Sequence, residues 1–222
     1  MEDSFIYNFA LLITELSVIS TTAALIISTS IKTRAHFKLK WALVVLFLGS
    51  LIIDLMFRFS YILPFKIVTN FFYNAYTILC LITSYYVFSI ILTNKNISKY
   101  LLIGFGGLIF SILFAYLFYQ DLNMESSTAY TIYSLSIIVL SMLYFRNLLN
   151  DMKVSHLFKH PHFWVVCGYL LYYGGTIVLT LFQNYIQGSG IRLTLYLWPI
   201  QGIANIIFTL LIAKSIWTMR KT

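Results

Sequence analysis

Long apolar stretches separated by short polar breaks run through the whole chain. The apolar runs cover roughly 5–29, 41–63, 67–93, 100–119, 128–146, 163–186 and 193–217, and the breaks carry Lys, Asn, Pro, Gly or an acid. A helix rises about 1.5 Å per residue, so about 20 apolar residues cross a hydrocarbon core about 30 Å thick. Seven such runs predict an all-α polytopic bundle of seven transmembrane helices, forming a single domain over residues 1–222. The narrowest break lies between the second and third runs, where Pro64, with Phe65 and Lys66, supplies the turn.

Composition agrees with that pattern. Of 222 residues, 60% are hydrophobic and only 10% charged, against roughly a quarter charged in soluble domains. Seven spans leave short loops and no room for a soluble catalytic or nucleic-acid-binding domain. The net charge of +8 writes orientation. Lys32, Arg34, Lys38, Lys40, Lys95, Lys99, Arg146, Lys153, Lys159, Lys214, Arg220 and Lys221 fall on one side of the predicted membrane. Only Lys66, Arg192 and Arg58 fall toward the other, together with Glu2, Asp3, Asp121 and Glu125. Basic residues in short loops mark the cytoplasmic side. The chain is therefore expected in a bacterial inner membrane, N-terminus outside and C-terminus in the cytoplasm. Trp41, Trp164 and Trp217 then meet the inner interface, which suits amphipathic indoles. The acidic start, Met1-Glu2-Asp3, does not resemble a cleaved signal peptide.

Several chemistries are excluded by placement. Cys80 and Cys167 both fall inside spans and read as small buried hydrophobes. His36, His156, His160 and His162 lie in predicted cytoplasmic loops with no HExxH motif and no acid at ligand spacing, so no metal is expected. The same placement excludes an intramembrane hydrolase that needs histidines within the bundle. Retinal would need a lysine midway along the seventh span, whereas Lys214 is about 31 Å from its start and reads as a snorkelling anchor. The Pro-Gln pair of the seven-helix PQ-loop transporters is absent, because Ile200 separates Pro199 from Gln201. No enzyme activity and no cofactor are expected.

The informative residues are those that hydrocarbon disfavours. A charge at the bilayer centre costs at least ~2.5 kcal/mol, so such residues usually face the bundle interior. Glu15, Asp54, Arg58, Asn74, Gln201 and Asn205 are expected about 6 to 18 Å below the outer boundary, with Tyr172 and Tyr173 near mid-membrane beside Gly174-Gly175. Each has a bland reading. Asp54 and Arg58 stand at i, i+4, where opposite charges pair on one helix face. Glu15 could be a protonated carboxyl bonded to a neighbouring helix, and the amides could be interhelical glue. Their shared depth on several helices makes a ligand pocket in the outer half the sharper expectation.

Three stretches carry a resemblance: NFFYNAYTILCLITSYYVF at 70–88, HPHFWVVCGYLLYYGGT at 160–176 and NIIFTLLIAKSIW at 205–217. They are similar to small seven-helix membrane proteins of Bacteroidota and to membrane portions that precede histidine kinases in that group. The resemblance implies an acid late in the second helix, which Asp54 matches. From the outer-half polar cluster the leading expectation is a sensor or receptor-like module that binds a small ligand there and signals through a separate partner, since no inverted repeat of the transporter kind is evident. A small-solute or proton-coupled transporter is the second expectation, and a non-catalytic subunit of a membrane complex the third.

Overall fold

The computed structural model describes residues 2–33, 36–60, 66–92, 104–110, 127–151, 157–182 and 191–220. Within them the chain is helical: α1 Glu2–Ser30, α2 Phe37–Ser60, α3 Lys66–Ile91, α4 104–110, α5 Ser127–Asp151, α6 Pro161–Leu181 and α7 Ile191–Met219, with a 3-10 turn at Leu157–Lys159 before α6. The break around Pro64 and most of the fourth run lie outside the described residues. Five of these helices are long and apolar enough to cross a bilayer, and Ala75–Ile91 in α3 is a shorter apolar stretch.

Helix ends follow local chemistry. Pro161 opens α6 at a position where its missing N–H is no loss. The helix stops at Leu181, five residues before the apolar run does, and the Phe182 amide donates back to the Val178 carbonyl at 3.2 Å. At the other extreme α5 runs on to Asp151, past the apolar limit near 146. Pro199 lies inside α7 without interrupting it.

Packing joins the helices into a ring. Around it α1 packs on α2, α2 on α3, α3 lightly on α5, α5 on α6, α6 on α7, and α7 back on α1. The described part of α4 meets α3 where the Tyr85 and Phe105 rings lie 5.3 Å apart. The closest approaches are at glycines. A Cβ at Gly202 in α7 would sit 2.6 Å from Ile13 Cγ2 of α1, and one at Gly49 in α2 would sit 3.0 Å from the Tyr76 ring of α3. A Cβ at Gly104, Gly106 or Gly107 would meet nothing within 4 Å among the described residues.

The distribution of side chains is the reverse of a soluble protein's. Outward faces carry Phe5, Ile19, Ile26, Met142, Val178 and Leu210, each more than half exposed, while Ser17, Thr21, Ser84, Ser134, Ser141 and Ser215 are buried. Water would make that surface an aggregation hazard, whereas lipid matches it. Inside a lipid-facing bundle, small hydroxyl residues let helices approach and find carbonyl partners on their own helix. Thr21 donates to the Ser17 carbonyl at 3.0 Å and Ser141 to the Ile137 carbonyl at 2.8 Å. The chain is a multi-pass membrane protein.

Candidate functional site

Hydroxyl groups from three helices meet at the centre of the bundle. Tyr133 of α5 is fully buried. Its hydroxyl lies 2.8 Å from Ser84 Oγ of α3, 2.8 Å from the Tyr173 hydroxyl of α6, and 3.3 Å from the Cys80 carbonyl oxygen of α3. Ser84 Oγ in turn donates to the Tyr169 hydroxyl at 3.2 Å. The local pattern explains the convergence. Tyr76, Cys80 and Ser84 recur every fourth residue on α3, as do Tyr169 and Tyr173 on α6, so each set shares one helix face. Those faces turn inward because the opposite faces, with Ile82 and Leu171, are exposed.

The rings are fixed by packing. Tyr169 and Tyr173 stack at 6.0 Å, Tyr133 meets Tyr173 edge-on at 5.1 Å, and Phe208 of α7 closes the group against Tyr169 at 5.4 Å. Their hydroxyls retain a choice. Tyr133 has a single proton to give, and it can go to Ser84 Oγ or to the Cys80 carbonyl, with Tyr173 supplying the return bond while Ser84 donates to Tyr169. Two settings of one buried network are the kind of discrete element through which distant sites can couple.

A second layer adjoins the first. Tyr172 packs edge-on to Tyr173 at 4.9 Å, with Tyr130 and Gln201 nearby. Tyr76 is likewise in contact with Cys80 and with Ser50 of α2. Asp54 is half-buried, with Oδ2 buried. It stands about 26 Å along α2 from Phe37, whereas Tyr169 is about 12 Å along α6 from Pro161. The polar groups therefore extend along the bundle axis from the Asp54 level down toward the opposite end.

That opposite end is basic. There α1 and α7 finish while α2 and α6 begin, tied together by Ser215 Oγ donating to the Pro161 carbonyl at 2.8 Å and Lys40 Nζ to the Ile31 carbonyl at 2.6 Å. Lys214, Arg220 and Lys40 lie 5.9, 5.7 and 5.6 Å from the rings of Trp164, Trp217 and Trp41.

The polar residues singled out from sequence divide between places. Tyr172 and Tyr173 pack together at the hydroxyl centre, and Asp54 and Gln201 are half-buried on α2 and α7. Asn205 belongs to another contact, where its amide donates to Ser17 Oγ at 2.7 Å in the α1–α7 seam, one turn above Thr209 with Ser20 at 3.0 Å. Glu15 lies on the exposed face of α1 and does not enter the interior that its charge led us to expect. The reason is helical phase: the inward face of α1 is set by Ala10, Ile13, Ser17, Thr21 and Ala24. The side chains of Arg58 and Asn74 fall outside the described residues. Tyr76, Ser84, Tyr130, Tyr133 and Tyr169 carry the centre but were not among the expected residues. The four-residue periodicity of hydroxyl groups on α3 and α6 is the signal that could have found them. Among the described residues no three His, Cys, Asp or Glu side chains gather as a metal site would need.

No family model matches the chain, and no curated protein or solved structure is significantly similar to it.

Proposed function

We propose that the chain is a seven-span sensor of the cytoplasmic membrane, with the N-terminus outside and the basic end in the cytoplasm. A small polar ligand enters from the outer half beside Asp54, Tyr172, Tyr173 and Gln201. Ligand contact with Tyr172 biases the choice made by the Tyr133 hydroxyl, and α6 and α7 carry the change to a separate partner at the basic end. One observation supports this above all. The Tyr172 ring packs edge-on against Tyr173, whose hydroxyl belongs to the buried Tyr133–Ser84–Tyr169 network. The resemblance to membrane portions that precede histidine kinases points the same way. Seven rather than five crossings follow from adding α3 and the fourth apolar run to the five long helices.

The competing readings separate in one preparation. Spin labels at Lys159 and Arg220, both exposed at the basic end, report the spacing between the starts and ends of α6 and α7. Asp54→Asn removes the outer charge and is expected to change the label distance distribution, with no proton flux into vesicles under an imposed potential. Flux that Asp54→Asn abolishes would instead make the chain a proton-coupled transporter. An unchanged distribution without flux would leave a structural subunit.

A further inference from the structure

The basic end holds a group of buried polar atoms that the hydroxyl network does not use. Lys40, in the first turn of α2, is only 7% exposed. Its ammonium has three donors, of which one meets the Ile31 carbonyl. His36 precedes Lys40 by one turn on the same face, its carbonyl accepting the Lys40 amide at 3.0 Å. The His36 ring packs edge-on against His162 of α6 at 5.5 Å. His162 Nε2 is buried and meets no hydrogen-bond partner among the described residues, and the same is true of Thr33 Oγ1, three residues before His36 in sequence. Burial lowers the His36 pKa below its ordinary value, so at neutral pH its imidazole offers an N–H donor without a charge of its own.

The buried Lys40 ammonium, with one carbonyl and the Trp41 ring as its partners, keeps donors to spare, and two orphaned polar atoms lie on the segments around it, an arrangement that an anion would complete. We propose that Thr33, His36, Lys40 and His162 form a site for a phosphate-bearing anion between the α1–α2 turn and the start of α6. A phosphate accepts several hydrogen bonds at once and carries the charge that Lys40 needs, and charge-assisted bonds of this kind are among the stronger ones. The donor set is also the wrong one for a cation, since it includes an ammonium and no carboxylate. Its position at the end where Trp41 and Trp164 gather fits a phospholipid headgroup, and a soluble phosphate ester presents the same chemistry. This site is independent of the ligand site proposed near Asp54.

The test uses the full chain in nanodiscs, with 15N-labelled histidine and a thermal midpoint as paired readouts. One arm replaces a third of the phosphatidylcholine by phosphatidylglycerol, and the other adds inorganic phosphate to phosphatidylcholine discs. The comparison variant is Thr33→Val with His162→Phe, which keeps every lysine and arginine and so keeps the general attraction for anionic surfaces. Wild type is expected to shift its His162 signals and raise its midpoint in at least one arm. A response to phosphatidylglycerol alone assigns a lipid headgroup, and a response to phosphate assigns a soluble ester. The variant, read by its midpoint and its His36 signals, should respond roughly a hundredfold more weakly, the loss of two such bonds at about tenfold each. Wild-type His162 signals that move in neither arm overturn the site, as does a variant that responds like wild type. Should the variant fail to fold, the wild-type titration alone decides.

Discussion

Replacing Tyr133 by phenylalanine is expected to destabilise the bundle by about 1–3 kcal/mol, the cost of leaving buried polar partners without their bond. The ring stays and its packing stays. What goes is one oxygen that serves Ser84, Tyr173 and the Cys80 carbonyl together. Interhelical hydrogen bonds in membranes are often worth only about 0.6 kcal/mol each, because the separated helices find other partners. A loss at the upper end would mean that the contacts act as a unit. Ser84→Ala removes the neighbouring hydroxyl, so the double substitution should cost less than the sum of the singles. Tyr86→Phe on the exposed face of the same helix serves as the control and should change nothing. Reversible denaturation in mixed micelles measures all four proteins.

A comparable effect is expected at the α1–α7 seam. Valine at Gly202 would place its Cβ 2.6 Å from Ile13 Cγ2, with the Ile13 carbonyl oxygen only 3.7 Å away. The isoleucine branch cannot swing clear without moving α1, so the substitution should cost about 1–3 kcal/mol, as overpacking does. It should also weaken the Asn205–Ser17 bond one turn along. Ile13→Ala makes room and should recover much of the loss. The same denaturation experiment reads the rescue. Equal instability with and without Ile13→Ala would mean that the seam is not the point of strain.

Spans were legible because lipid imposes a simple demand on sequence, and the helices found agree with the apolar runs to within a few residues at most ends. Exceptions have local causes. Helix α5 continues through Asn147 and Asn150 to Asp151 because a helix can outlast its apolar run where its end is polar. Depth was legible only as an expectation, since it depends on position along the chain. Helical phase was not legible in the same way. Glu15 and Ser17 differ by two residues and therefore by about 200° of rotation, enough to put one outside and the other in the α1–α7 seam. Tyr76, Tyr130, Tyr133 and Tyr169 were passed over because a phenol counts as apolar in this reading, although its hydroxyl needs a partner once buried. Partner choice across helices, such as Ser84 with Tyr133, depends on the ring order and emerges only in three dimensions.

Sidedness is the most direct test of the whole account, because a sensor of this design needs its Asp54 level and its basic end on opposite sides of the membrane. Single cysteines at Ser126, Ser189 and Ser155 are to be labelled with an impermeant thiol reagent on intact cells. The unsubstituted chain corrects for Cys80 and Cys167, which are buried and half-buried. Labelling at Ser126 and Ser189, with Ser155 reacting only after lysis, is the expected result. Labelling at Ser155 alone would turn the basic end outward and contradict the account.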